Sequence, residues 1–180
     1  MKQFFSFKTL VLLATLLTSI SFAQFDAGKS TIGLGAGYGG GGLDGDNAIP
    51  LYVEFNFLEL SENIQGGVFA SYASTSEELN FFTSSGEWTF TNIIAAAQVN
   101  YHFSPGEKFD PFVGASLGYN FASASWEWNN GSNLPEPSAD AGDFFYSGQA
   151  GFNYWFSDGM AVQVRAGYYP YISAGIQFVM

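Results

Sequence analysis

The sequence predicts an all-β fold, an eight-stranded antiparallel up-and-down transmembrane β-barrel. Apolar and polar residues alternate in eight segments, and the apolar face of each segment carries no charged residue. The links between the segments are alternately long and short. Because successive side chains of a strand point to opposite faces, such segments form a sheet with one apolar side. A barrel that turns this side outward fits a lipid bilayer, where closed strands satisfy their backbone hydrogen bonds.

The clearest of these segments is Asn92–Phe103. Every odd-numbered residue in it is apolar, whereas Gln98, Asn100 and His102 lie on the other face. The seven other predicted strands repeat the alternation, and in most of them the second face is rich in Gly, Ser, Asn and Gln. They are Thr31–Tyr38, Leu51–Phe57, Asn63–Tyr72, Phe112–Phe121, Tyr146–Phe156, Val162–Tyr168 and Ile172–Met180. A soluble sandwich or lipocalin-like barrel has its apolar bulk inside and its charge outside, so this pattern favours a membrane barrel.

The link lengths indicate how the strands are oriented. Short links follow strands two, four and six, and long links follow strands one, three and five. The short ones are Leu58–Glu62, Ser104–Lys108 and Ser157–Gly159, and the long ones are Gly39–Pro50, Ala73–Glu87 and Ala122–Phe145. Outer-membrane barrels have short periplasmic turns and longer outside loops, so we expect the amino terminus in the periplasm. Outward aromatic residues cluster near both strand ends, as at the two headgroup levels of a bilayer.

Residues 1–23 have the features of a secretory signal peptide. Lys2 and Lys8 lie in its first part, an apolar run extends from Leu10 to Ile20, and Ala23 precedes the expected cleavage site. The apolar run is shorter than the roughly 20 residues that a spanning helix needs. The sequence therefore predicts export through the Sec pathway and one barrel domain over residues 24–180.

The composition narrows the class of protein further. Charged residues make up 12% of the chain, whereas a soluble domain usually has about 25%. After removal of the leader, only Lys29, Lys108 and Arg165 remain as basic residues against all sixteen acidic ones. Nucleic acid is therefore not an expected partner. The chain has no cysteine, which excludes both a disulfide framework and thiolate chemistry.

Three motifs carry a resemblance to a known family. Tyr101-His102-Phe103 closes a strand before a short link, Asp110–Gly114 opens the next strand, and Gly175–Met180 forms the final segment. The mature chain resembles the small eight-stranded outer-membrane barrels of the OmpA and OmpX type, generic outer-membrane β-barrel proteins of Gram-negative bacteria. In that family the last strand usually ends on an aromatic residue and is read by the barrel-assembly machinery. The resemblance implies this role for Ile172–Met180, with Met180 at the last position and Phe178 two residues before it.

Two charged residues fall on the face that the alternation directs inward, Glu54 and Arg165. An unpaired charge inside a barrel is costly, so we expect them to form an ion pair across the lumen. One interpretation is a structural pair among polar neighbours, and the other is a gate or a small polar conduit. Because side chains fill the interior of an eight-stranded barrel, the sequence does not predict a constitutive pore.

The only histidine is His102, and His102-Phe103-Ser104 resembles the His-x-Ser of lipid A deacylase barrels. Acyl hydrolysis needs a base, an orienting acid and an oxyanion site at the depth of the ester. The alternation instead directs His102 inward at the periplasmic end, away from the outer leaflet. The sequence therefore predicts no catalytic residue and no enzymatic activity.

The acidic residues concentrate in the long links, which we predict to be solvated loops. Asp44 and Asp46 lie in a segment that resembles a calcium loop but lacks its twelfth-position glutamate. Trp126 and Trp128 are predicted at a loop tip that contacts a ligand, with packing on the barrel rim as the alternative. Neither a metal nor another cofactor is predicted.

Three classes of function remain open at this point. The favoured one is a structural or surface-interaction barrel that acts through acidic extracellular loops, because the barrel is small and no catalytic set converges. The alternatives are a narrow porin-like channel and a lipid A-modifying barrel enzyme. The expected partners are outer-membrane lipid and lipopolysaccharide, the barrel-assembly machinery and an unidentified extracellular ligand.

Overall fold

The computed structural model describes residues 29–39, 48–80, 85–129 and 135–180. Within these ranges, eight strands form one closed antiparallel barrel in which consecutive strands pair and β1 pairs with β8. The strands are β1 (Thr31–Tyr38), β2 (Leu51–Ser61), β3 (Ile64–Asn80), β4 (Ser85–His102), β5 (Phe109–Trp128), β6 (Ser138–Ser157), β7 (Met160–Gly167) and β8 (Ile172–Val179). The predicted fold class is confirmed. No helix in the described ranges is long and apolar enough to cross a membrane.

The outside of the barrel is apolar, as the alternation predicts. In β4, Ile93 is 47% exposed whereas the next residue, Ile94, is 1% exposed. The same contrast recurs along the other strands, and the outward set includes Leu34, Val53, Val68, Val99, Val113, Leu117, Val162 and Ile176. So large an exposed apolar surface is unfavourable in water and marks an interaction surface. In this barrel it forms a belt suited to lipid.

Exposed aromatic side chains border this belt at both ends. At one end they are Tyr38, Tyr72, Tyr119, Phe121, Tyr146 and Tyr168, and at the other they are Phe57, Tyr101, Phe103, Tyr154 and Phe156. Neighbouring members contact each other, as in the stacked rings of Tyr146 and Tyr168, whose centroids are 6.3 Å apart. Amphipathic rings favour the headgroup levels of a bilayer, so the two rows mark the limits of the spanning region.

Four strands continue far beyond one end of the barrel. The last pairs that close the wall at this end are Leu51↔Tyr72 and Gln149↔Gly167. We call the further segments, which remain paired with one another, the projecting sheet: Ala73–Asn80 of β3, Ser85–Asn92 of β4, Ala122–Trp128 of β5 and Ser138–Ala141 of β6. We call the end of the barrel from which this sheet extends the projecting end.

The projecting sheet corrects the prediction of solvated loops at Ala73–Glu87 and Ala122–Phe145. Most of these two segments is strand. Outside the apolar belt the outward face becomes polar, as at Thr89 and Thr91, while Trp88 and Phe90 lie on the other face. The pattern that marks the barrel strands therefore ends although the backbone ladder continues. The predicted ends of strands three to six were therefore wrong by several residues.

The opposite end of the barrel has short connections, and we call it the turn end. The connections are Glu62-Asn63, residues 103–108 and Asp158-Gly159. The predicted link Leu58–Glu62 is shorter than expected because β2 continues to Ser61 through two register irregularities. Gly106 has a φ of 83°, a conformation that favours glycine. The alternation of short and long connections is thus retained, with the projecting sheet in place of two of the long loops.

Candidate functional site: the lumen network and the projecting sheet

The centre of the lumen is occupied by the carboxylate of Glu54, which is 1% exposed. Its Oε2 accepts hydrogen bonds from Arg165 Nη1 at 3.1 Å and from Gln98 Nε2 at 3.2 Å. Its Oε1 accepts from Gln163 Nε2 at 2.9 Å and from Gln177 Nε2 at 2.5 Å. Strands β4, β7 and β8 therefore direct four donors at one buried carboxylate, which offsets much of the cost of removing its charge from water.

The guanidinium of Arg165 is the charged partner in this network. Besides Glu54, its Nε donates to Ser173 Oγ at 3.4 Å. The guanidinium carbon lies 4.3 Å from the ring centroid of Tyr52 and 5.0 Å from that of Phe69. Arginine interacts favourably with aromatic faces, so the cation is held by a carboxylate, a hydroxyl and two rings. The structure brings the two residues of the predicted lumen ion pair together.

The register of the barrel explains how Glu54 reaches the centre. Gly33 of β1 lies directly opposite Glu54 of β2. A Cβ atom at Gly33 would approach the Cγ of Glu54 to 2.7 Å, so a larger residue would displace the carboxylate. The inward glycines of β1 leave this space. The three glutamine donors were not among the predicted site residues, although their inward positions on β4, β7 and β8 could have indicated them.

Apolar side chains lie in the lumen on both sides of the Glu54 network. One buried cluster comprises Tyr52, Phe69, Ile94, Ala96, Phe145 and Tyr169, and the other comprises Trp155, Ala161 and Val179. Burial raises the pKa of the Tyr169 hydroxyl, which lies in the turn after β7. The inward face is thus less uniformly polar than the sequence predicted. An eight-stranded barrel is only wide enough for its own side chains, and these clusters fill the interior around the network.

The imidazole of His102 lies inside the barrel near the turn end. Its Nδ1 lies 2.6 Å from Asp110 Oδ2, and the two residues are 5% and 0% exposed. The backbone N–H of Ser104 donates to Asp110 Oδ1 at 3.3 Å. Asp110 thereby joins the end of β4 to the start of β5 across the connection at residues 103–108. This geometry gives His102 a structural partner.

The projecting sheet presents rows of hydroxyl groups on one face. Ser74 Oγ and Thr91 Oγ1 are 3.2 Å apart, and so are Ser76 Oγ and Thr89 Oγ1. The register continues both rows onto β5, with Thr91 opposite Ser123 and Thr89 opposite Ser125. Hydroxyl pairs of this kind stabilise a sheet in water. They account for a sheet that extends outside the apolar belt.

A row of three glutamates crosses the projecting sheet. Glu78 lies opposite Glu87 on the neighbouring strand, and Glu87 lies opposite Glu127 on the next. Directly opposed like charges destabilise a sheet. The row therefore lowers the stability of the projecting sheet. In the described part of the chain, no three His, Cys, Asp or Glu side chains form a group that could hold a metal ion.

The two predicted tryptophans of the loop tip lie in β5. Trp126 is only 4% exposed, and its ring lies 5.4 Å from Trp88 and 5.2 Å from Trp128, centroid to centroid. The prediction of a loop tip is wrong because Ser-Trp-Glu-Trp is the end of a strand with alternating faces. Asp44 and Asp46, the other predicted interaction residues, lie outside the described ranges.

A closed eight-stranded barrel with an apolar outer belt and aromatic rows at both limits defines an integral outer-membrane protein. A model of the outer membrane protein beta-barrel domain matches residues 9–177, and the chain belongs to this family. The protein therefore resides in the bacterial outer membrane. None of the functionally curated proteins is significantly similar to it in sequence.

Several solved structures are similar to this chain. Neisserial surface protein A gives a TM-score of 0.51 at 12% identity, covering 84% of this chain and 95% of that one. The N-terminal β-barrel domain of Pseudomonas aeruginosa OprF gives 0.50 at 14% identity, covering 85% and 98%. Ail, the attachment invasion locus protein of Yersinia pestis, gives 0.49 at 14% identity, covering 84% and 95%. At these identities the similarity concerns the fold.

Proposed function

We propose that the protein acts at the cell surface through its projecting sheet, and that the barrel is an anchor with a closed interior. The observation that carries the proposal is the continuation of four paired strands beyond the closing pairs of the barrel. This sheet is held by strand pairing and carries exposed acidic side chains. They are Glu77, Glu78, Glu127 and Asp140. Functional surfaces are often borne on such extensions of a rigid scaffold.

The lumen network supports an anchor over a channel. A conduit would need a continuous polar path, whereas apolar clusters lie on both sides of Glu54. The Glu54–Arg165 pair is contacted by side chains of β2, β3, β4, β7 and β8, so its opening would leave buried charges unpaired at considerable cost. We therefore assign the pair a structural role and retain the narrow channel as the alternative.

An enzymatic role has less support. His102 is directed into the lumen at the turn end and is held by Asp110 at 2.6 Å. A lipid-modifying enzyme needs its base at the depth of the ester and facing the lipid. We propose that lipid and lipopolysaccharide contact the apolar belt as surroundings. We propose further that β8, which closes the barrel on β1, is the segment read by the assembly machinery.

The orientation that this function requires can be tested with single cysteines, because the chain has none of its own. Asp140→Cys lies on the projecting sheet, and Asp158→Cys lies in a connection at the turn end; both positions are exposed. A membrane-impermeant maleimide applied to intact cells should label the first variant and not the second. Both should be labelled after the outer membrane is permeabilised. Labelling of Asp158→Cys alone in intact cells would overturn the proposal.

A further inference from the structure

A pocket of about 270 Å³ lies at the turn end of the barrel. Gly106, Glu107 and Lys108 of the β4–β5 connection form one side of it, and residues 155–158, at the end of β6 and in the turn to β7, form the other. The N–H of Trp155 donates to the C=O of Lys108 at 2.8 Å and joins the two sides. The backbone of Lys108 is therefore held in place, and its side chain lines the pocket.

The pocket lies at the level of the aromatic row that borders the apolar belt at the turn end. Phe156, a member of this row, lines the pocket and is 50% exposed. The Nζ of Lys108 lies 5.7 Å from the ring centroid of Tyr154, a second member. Because such a row marks the headgroup level of a bilayer, the ammonium group of Lys108 lies at the depth of the phospholipid headgroups. The pocket thus joins the lipid-facing surface to the aqueous end of the barrel.

The pocket carries one positive and two negative charges. Besides Lys108 it contains Glu107 and Asp158, and all three side chains are exposed. The ion pairs among the described residues lie in the lumen, and none of them includes these three side chains. A ligand that carries the complementary charges can therefore engage all three groups.

This set of charges distinguishes between lipid headgroups. Lys108 is complementary to a lipid phosphate. A headgroup with a phosphate and no positive group would place its negative charge beside two carboxylates, which is unfavourable. A zwitterionic headgroup avoids this cost, because its positive end reaches the carboxylates. A primary ammonium also donates hydrogen bonds to carboxylates, which a quaternary ammonium cannot do. Phosphoethanolamine therefore fits the pocket better than phosphoglycerol or phosphocholine.

We propose that this pocket binds the phosphoethanolamine headgroup of a phospholipid. The phosphate contacts Lys108, the ammonium group lies between Glu107 and Asp158, and the acyl chains pass Phe156 onto the apolar belt. Such a site holds the turn end at a fixed depth in its leaflet. The inference does not depend on the proposed surface function, because the pocket and the projecting sheet lie at opposite ends of the barrel.

The test is native mass spectrometry of the purified full-length protein in detergent micelles. Three phospholipids with identical acyl chains and with ethanolamine, glycerol or choline headgroups are titrated separately. The ratio of lipid-bound to free protein gives a dissociation constant for each lipid. Soluble glycerophosphoethanolamine, which has the headgroup but no acyl chains, is added as a competitor. Two variants remove the charges of the pocket, Lys108→Gln and Glu107→Gln/Asp158→Asn.

Each of these variants has a matched control at the turn end, on chain that does not line the pocket. Lys29→Gln removes one positive charge immediately before β1. Glu59→Gln/Glu62→Gln removes two exposed negative charges, one in β2 and one in the connection that follows it. A general effect of net charge would be the same in each variant and its control. Heat-modifiable gel mobility verifies that all four are folded.

The original protein should bind the ethanolamine lipid about tenfold more tightly than the other two lipids. Lys108→Gln should weaken this binding about tenfold, as expected for loss of one charge-assisted contact. Glu107→Gln/Asp158→Asn should abolish the preference for ethanolamine over glycerol, because the carboxylates that repel an anionic headgroup are gone. Both controls should bind within about twofold of the original protein, since salt screens charges elsewhere on the barrel.

Three outcomes would overturn the proposal. The first is equal affinity of the original protein for the three headgroups. The second is an equal loss of binding in a pocket variant and its control. The third is binding of soluble glycerophosphoethanolamine as tightly as the lipid, which would show that the acyl chains contribute nothing and that the site is not a lipid site.

Discussion

Replacement of Glu54 by glutamine should destabilise the barrel strongly. The substitution keeps the size of the side chain but removes the charge opposite Arg165, which is 2% exposed. Loss of one partner of a buried ion pair costs about 3–5 kcal/mol. The three glutamines that donate to Glu54 also lose a charged acceptor. We therefore expect Glu54→Gln to lower the free energy of unfolding by about 4 kcal/mol.

The partner substitution should cost less. Arg165→Met leaves the Glu54 carboxylate with its glutamine donors, and hydrogen bonds to a charged group contribute about 1.5–3 kcal/mol each. We expect a loss of about 2–3 kcal/mol in this variant. The double variant Glu54→Gln/Arg165→Met contains neither charge. Its loss should be smaller than the sum of the single losses by about 2 kcal/mol, within the usual range for contacting residues.

The assay is equilibrium urea unfolding in phospholipid vesicles, followed by the fluorescence of the four tryptophans. Asp158→Asn, at an exposed position of the turn end, serves as a control that removes a charge without touching the lumen. Single losses that add to within about 0.5 kcal/mol in the double variant would show that the two charges do not interact. So would a Glu54→Gln variant as stable as the original protein.

Four further substitutions have expected outcomes. Gly118→Ala should lower the folded fraction, since the new Cβ would overlap the backbone oxygen of Ala95. Gly148→Ala should be tolerated, because no atom lies within 4 Å of its Cβ. Heat-modifiable gel mobility compares the folded fractions of the two variants. Glu87→Gln should stabilise the projecting sheet by about 0.2–1 kcal/mol, and slower amide exchange in β4 would show it. Asp110→Ala should destabilise the β4–β5 connection by about 1–3 kcal/mol in urea unfolding, because His102 loses its partner.

The barrel itself could be predicted because lipid imposes a strict rule on one face of every strand. The side chains of Ile93, Val113 and Ile176 point outward because each contacts lipid. The alternation around each of them predicts its strand. The inward direction of Glu54 and Arg165 followed from the same parity. Glu54 and Arg165 are 111 residues apart in the sequence. Their ion pair could still be predicted, since two inward charges in a closed barrel have few other partners.

The parts that the sequence did not reveal depend on register or lie beyond the bilayer. Convergence of Gln98, Gln163 and Gln177 on one carboxylate requires the stagger of strands around the closed barrel, and no local pattern encodes it. The projecting sheet was predicted as loops because Thr89 and Ser125 are polar on a face where the barrel strands are apolar. Trp126 was placed at a tip for the same reason. In water, cross-strand pairs rather than burial sustain such strands.

Single-channel recording in planar lipid bilayers distinguishes a closed barrel, whose function lies outside its lumen, from a channel. The purified protein should insert without stepwise conductance, because the Glu54 network and the apolar clusters fill the interior. Stable, reproducible conductance steps from the original protein would contradict a closed barrel and would favour the narrow channel.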